Sequence, residues 1–138
     1  LFDMPAVLAS VPAGLRGRLT RCPGDFRADP FPTGPDTISL IRVLYDHSDA
    51  SVAALITKVF NALPVGGMIL VSEPMSGGDR PDPATDVYFA IYTLAMRTGR
   101  TRSAAEIADL LRKTGFAGIQ ARPGDRPFVT SVVTALKP

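Results

Sequence analysis

Apolar and polar positions follow two rhythms along this chain, and each change of rhythm marks an element. The clearest stretch places Val52, Leu55, Ile56, Val59, Phe60 and Leu63 three or four residues apart, one apolar face of a helix. Ser48 or Asp49 is placed to cap its start, and Pro64 to Gly67 stop it. Thr37 to Leu44, just before, is nearly unbroken β-branched and apolar, as expected of a buried parallel strand, and Met68 to Ser72 repeats the pattern. Ser103 with Glu106 makes a capping box for another helix, with Ile107, Leu110 and Leu111 inward and Gly115 at its end. Asp86 to Arg97 reads as a helix with Val87, Tyr88, Ile91, Tyr92, Ala95 and Met96 along one side. Leu1 to Asp3 is a strand end, Pro5 suits the first turn of a short helix, and Leu15 to Arg21 is a weak strand candidate. Phe116 to Ala121 and Phe128 to Leu136 form a closing pair of strands across the turn Arg122-Pro123-Gly124-Asp125.

Strands alternating with helices predict an α/β sheet covered on both faces. Such sheets bind ligands beyond the carboxyl ends of their strands. Three polar departures stand there: Asp3, the Gly24-Asp25 pair and Glu73.

Composition narrows the picture. With 138 residues the chain holds one domain's worth of core, and a compact form would expose roughly 6,900 Å². An apolar share of 46% argues against disorder, and no apolar run approaches the ~20 residues of a membrane span. One cysteine, Cys22, and one histidine leave no disulfide framework and too few ligands for a Cys/His zinc site, so no metal is expected. That usage fits a reducing, cytoplasmic compartment. Fifteen basic against thirteen acidic residues, net +2, is too balanced for a nucleic-acid footprint, and aromatics at 7% without Trp offer little to stack on bases. The chain starts with Leu1 inside what reads as a strand, so we expect it to be a piece of a longer protein.

An acidic residue at a strand end accepts hydrogen bonds from both hydroxyls of a ribose, and Asp3 is placed for that; a helix N-cap aspartate satisfies the same spacing. Gly24-Asp25-Phe26 offers a flexible backbone, a carboxylate for an amino group and an aromatic edge, although Pro-Gly-Asp is also an ordinary turn. A Met and aromatic stripe at helical spacing reads as core from periodicity alone.

In chain order, Phe2-Asp3-Met4-Pro5-Ala6-Val7, Pro23-Gly24-Asp25-Phe26, Arg42-Val43-Leu44-Tyr45-Asp46-His47-Ser48-Asp49, Ser72-Glu73-Pro74-Met75, Thr98-Gly99-Arg100-Thr101-Arg102-Ser103 and Leu110 to Phe116 resemble one family. It is the class I S-adenosylmethionine-dependent O-methyltransferases of the two-domain, hydroxyl-methylating type. Within it the likeness is greatest to the bacterial hydroxycarotenoid (demethylspheroidene-type) enzymes, through Arg42 to His47, Ser72 to Gly78 and Asp86 to Met96. The resemblance implies a Rossmann-like catalytic domain, incomplete over residues 1–138, whose first strand and Gly-rich turn lie upstream. That strand would sit between the strands ending at Asp3 and Leu44, so its absence leaves two unpaired edges facing a slot.

Further implications concern residues. Asp3 would bind the ribose hydroxyls of S-adenosylmethionine, Met4 would touch the adenine, Asp25 beside Gly24 would receive its amino group, and Phe26 would pack on the ring. Arg42 would stand near the cofactor, with Ile41 as the competing counterpart. Family members commonly place His-Asp-Trp where this chain has Tyr45-Asp46-His47. His47 titrates nearest neutrality and is the candidate base; Tyr45 occupies the usual base position, and Glu73 is a candidate to orient the histidine. Met75, Tyr88, Phe89, Tyr92 and Met96 would line the pocket of a small apolar hydroxylated acceptor, a carotenoid. Arg97, Arg100 and Arg102 are candidates for peripheral contact with anionic lipid or for a solvated helix end. A homodimer would form through the missing N-terminal domain. The alternatives are a phenolic or polyketide acceptor, and a nucleotide-binding module without chemistry.

Overall fold

The structure is a computed structural model and describes residues 1–12, 14, 18–124 and 130–138. Its centre is a four-stranded sheet in the order β3-β4-β8-β7, where β3 is Thr37–Ile41, β4 Met68–Glu73, β7 Ala117–Pro123 and β8 Ser131–Leu136. β3 and β4 are parallel, and β8 runs antiparallel to both β4 and β7. Beside this sheet stands a separate parallel ribbon of β1 (Phe2–Asp3) and β2 (Cys22–Pro23), with α1 (Pro5–Ala9) following β1. A second ribbon pairs β5 (Met75–Ser76) with β6 (Arg102–Ser103), two short strands the hydrophobic pattern does not announce.

Alternation along β4 puts Ile69, Val71 and Glu73 inward, while Leu70 and Ser72 face the other way and are half-buried. The inward face receives α2 (Asp49–Ala62) and α4 (Ala104–Thr114). Val52, Ile56 and Val59 of α2 and Ile107 and Leu111 of α4 form one cluster with Leu40, Ile69, Val71, Val133 and Ala135. Each such aliphatic side chain contributes about 1.5–3 kcal/mol by leaving water. Ser48 caps α2 by accepting the Ser51 N–H, and Lys137, beyond β8, donates to the Phe60 and Leu63 carbonyls at the other end. The capping box of α4 is present in both directions, and Gly115 ends the helix at φ 110°.

Four expectations are corrected. The strand placed over Leu15 to Arg21 is a two-residue strand at Cys22–Pro23, because pairing with β1 starts there; residues 15–17 lie outside the described ones. β3 stops at Ile41 rather than Leu44, since Arg42 turns left-handed (φ 55°) and Leu44–Asp46 coil into a 3-10 turn. The helix expected from Asp86, α3, runs Pro83–Met96, with Asp82 capping the Ala84 N–H and Pro83 in the first turn. The last strand starts at Ser131, and Phe128, like Asp125 of the turn before it, lies outside the described residues.

α3 also inverts the usual burial. Thr85, Phe89 and Thr93 face inward, while Val87, Tyr88, Ile91 and Leu94 are 58–78% exposed. The threonines tolerate burial because their hydroxyls are satisfied, Thr85 by Asp82 and Thr93 by the Phe89 carbonyl. The accessible surface, 8386 Å², exceeds the roughly 6,900 Å² of a compact chain.

Candidate active site

Between the β1–β2 ribbon and β3 runs an open cleft of about 1010 Å³, which includes the slot between the unpaired edges of the two strands. Asp3, Met4, Gly24, Asp25 and Phe26 line one wall; Thr37 to Val43, with Asp46 and His47, line the other. β1 and β3 do not pair with each other, so each presents an open edge to the space between them.

On the first wall, Asp3 accepts the Met4 N–H through one oxygen (2.7 Å), and its second oxygen has no partner among the described residues. Gly24 lies against the Phe2 ring, which would have to shift to admit a Cβ 2.5 Å away. Asp25 is fully engaged. Arg27 donates to both its carboxylate oxygens at 2.8–3.1 Å and adds its backbone N–H, which holds the Asp25 carboxyl down to about 2. Lys58 of α2 donates to the Phe26 carbonyl (2.5 Å) and the Asp29 carbonyl (2.9 Å), tying this loop to the helix. The Phe26 ring meets the His47 ring edge-on at 5.0 Å across the cleft.

The second wall is the turn that follows β3. Glu73, 2% exposed at the end of β4, accepts the N–H groups of Val43 (2.7 Å), Leu44 (2.8 Å) and Tyr45 (3.4 Å). Burial raises the Glu73 carboxyl, and those three donors pull it back. Glu73 therefore grips backbone and not the His47 ring, because both its oxygens are committed to the turn. Tyr45 is buried, edge-on to Phe89 at 5.7 Å and tilted against Tyr92, and its hydroxyl accepts from Arg42 at 3.4 Å. The Arg42 guanidinium lies 5.5 Å from the Tyr45 ring centre and 5.9 Å from that of Phe89. His47 is half-buried, and burial lowers its pKa below the ordinary value, opposed by Asp46 and assisted by Arg27 and Arg102. The imidazole is therefore neutral and able to take a proton near pH 7.

The five pocket candidates do not line this cleft. Met75 and Phe89 are buried, Tyr92 stands beside Tyr45, and Tyr88 and Met96 are 62% and 52% exposed. The basic triplet is not a free patch either. Arg102 is buried and Arg100 is bridged to Asp49 and Glu106, which leaves Arg97 exposed at the end of α3.

Asp46 was passed over as a site residue by sequence reasoning, and Arg102 was placed only in a basic triplet. Asp46 carries the one buried side-chain oxygen without a hydrogen-bond partner among the described residues; burial raises its carboxyl, against the pull of His47 and the Tyr45 hydroxyl. Arg102 reaches the turn from a segment distant in sequence. An acid between two candidate bases was the available signal for Asp46; periodicity held none for Arg102.

An acid-lined cleft at the strand ends of an α/β sheet is where such folds bind their ligands. The chain belongs to the O-methyltransferase domain family, whose signature matches residues 1–117. It is 56% identical to the demethylspheroidene O-methyltransferase of Cereibacter sphaeroides, covering 100% of this chain and 38% of that protein. With the Rhodobacter capsulatus enzyme of the same name it shares 53% identity, over 98% of this chain and 34% of that protein. It superposes on human N-acetylserotonin methyltransferase in complex with S-adenosylmethionine with a TM-score of 0.86 at 28% identity, covering 99% of this chain and 39% of that one. The chain thus spans little more than a third of these relatives. No helix among the described residues is long and apolar enough to cross a membrane.

Proposed function

We propose that the enzyme containing this chain transfers a methyl group from S-adenosylmethionine to the tertiary hydroxyl of a hydroxycarotenoid. The observation that carries the reading is the convergence of Asp3, Phe26 and His47 on one cleft, in a chain 56% identical over its whole length to a demethylspheroidene O-methyltransferase. The residues present fit an adenosyl group: a carboxylate oxygen without a partner at Asp3, and the exposed faces of an edge-on aromatic pair, Phe26 and His47, beside it in the same cleft. When bound, S-adenosylmethionine supplies an electrophilic methyl group on a positively charged sulfur.

In this reading Asp3 accepts the ribose hydroxyls, Met4 touches the adenine, and Phe26 packs on its ring. Asp25 receives the amino group only after giving up part of its grip on Arg27. Removing the acceptor's proton falls to the turn after β3, where neutral His47, Tyr45 and Asp46 stand in sequence. A tertiary alcohol is a weak acid, so alignment of the hydroxyl supplies much of the rate and its proton leaves late. The remaining length of the enzyme would place a strand against the open edges of β1 and β3 and supply the dimer contact.

The full-length enzyme given methyl-labelled cofactor together with a hydroxycarotenoid and a simple phenol tests this. Label recovered as the carotenoid methyl ether is expected, and label in the phenol alone would reject the acceptor.

A further inference from the structure

The turn from Val43 to His47 is gripped from two sides by buried, oppositely charged side chains that do not touch each other. Glu73 takes its N–H groups. Arg102, on β6 with a side chain 1% exposed, donates to the Leu44 carbonyl (2.8 Å) and the His47 carbonyl (3.0 Å). Its remaining donors go to Asp49 (2.7 and 3.1 Å) and the Arg100 carbonyl (3.2 Å), so the buried charge is matched by an acid and three carbonyls. Neighbouring residues fit the same turn. Thr98 donates to the Asp46 carbonyl (3.0 Å), and at Gly99 (φ 79°) any Cβ would overlap the Tyr45 carbonyl. A lone buried salt bridge serves stability poorly, whereas donors spread over two carbonyls of one turn fix its shape.

We propose that Arg102 is a positioning residue for methyl transfer: by holding the Leu44 and His47 carbonyls it fixes where Tyr45, Asp46 and His47 stand in the cleft. The inference rests on the methyltransferase reading but needs no choice among the three as proton acceptor. Arg102 touches neither cofactor nor acceptor, and it acts through the backbone of the turn. Lysine in its place offers a charge without the planar fork, so it reaches one of the two carbonyls at a time.

The test uses full-length enzyme, with kcat expressed per folded molecule. Arg102→Met is expected to lower kcat about a hundredfold with the acceptor KM changed less than about threefold, and Arg102→Lys to recover about tenfold of that loss. Amide exchange at Val43 to Tyr45 is expected to quicken in both. Should Arg102→Met not fold, Asp49→Asn loosens the same guanidinium from its 63%-exposed partner and is expected to cost about three- to tenfold in kcat at an unchanged Tm. A lower Tm with kcat per folded molecule unchanged in Arg102→Lys and Asp49→Asn would overturn the inference. A wild-type enzyme that labels no hydroxycarotenoid would defeat the acceptor reading instead, leaving Arg102 to be judged with whichever acceptor is labelled.

Discussion

The two walls of the cleft are built to different standards. The turn after β3 is fixed by buried Glu73 and Arg102, and its backbone groups find partners from β4, β6 and the segment after α3. The opposite wall rests on two strands of two residues each, a ribbon outside the main sheet, with one loop tied down by Lys58. On the proposed reading, the reacting end is fixed by buried side chains of this chain, whereas the nucleoside end has few such ties among the described residues. A site that must hold a proton acceptor to within fractions of an ångström needs the first kind of wall, and a site that admits and releases a large cofactor is served by the second.

The largest expected effect lies on the prepared wall. Glu73→Ala strands three N–H groups where water does not reach, so unfolding free energy should fall by about 3 kcal/mol or more in denaturant titration. A loss below about 1 kcal/mol would mean that the turn holds itself. Asp3→Ala on the open wall should leave the unfolding midpoint nearly unchanged and weaken S-adenosylhomocysteine binding about 10- to 100-fold by calorimetry, the value of a charge-assisted hydrogen bond. Comparable destabilisation by the two variants would erase the contrast.

A smaller effect sharpens the same point. Arg27 competes for Asp25, so Arg27→Ala should free the carboxylate and tighten cofactor binding by about threefold, a size typical of an exposed ion pair. Weaker binding would show that Arg27 itself meets the ligand. The smallest effect is in pH dependence. His47 has its folded pKa pushed below the ordinary 6.5 by burial, so on acidification the unfolded chain takes up a proton before the native one does. Stability should therefore fall as pH drops below 6.5 toward the folded value, and His47→Gln should flatten that decline in Tm measured against pH.

Much of the frame was legible because local rules and packing agree in it. α2 and α4 carry apolar faces, caps and stops that all give the same boundaries, and the sheet strands carry continuous apolar runs. Of the Met and aromatic stripe, Met75 and Phe89 are buried while Tyr88 and Met96 are exposed, and Thr85 and Thr93 go inward on α3, which satisfied hydroxyls permit and periodicity cannot show. In the site, Asp3, Gly24, Asp25, Phe26, Arg42 and His47 were placed by strand-end position and motif, and they do share one cleft. Glu73 was found as an acid at a strand end, but its partners are amides almost thirty residues away in sequence, and Arg102 reaches carbonyls more than fifty away. Long-range bonds to backbone leave no trace in spacing or composition, so both residues were read as facing a side chain, a lipid or solvent.

The central claim is that two walls of unequal rigidity close on one adenosyl group. Hydrogen exchange on the full-length enzyme, with and without S-adenosylhomocysteine, tests it most directly. Amides of residues 24–26 should exchange more slowly when the ligand is added, while those of Val43 to Tyr45 should be slow throughout. Residues 24–26 exchanging at the same rate with and without saturating ligand would contradict the account.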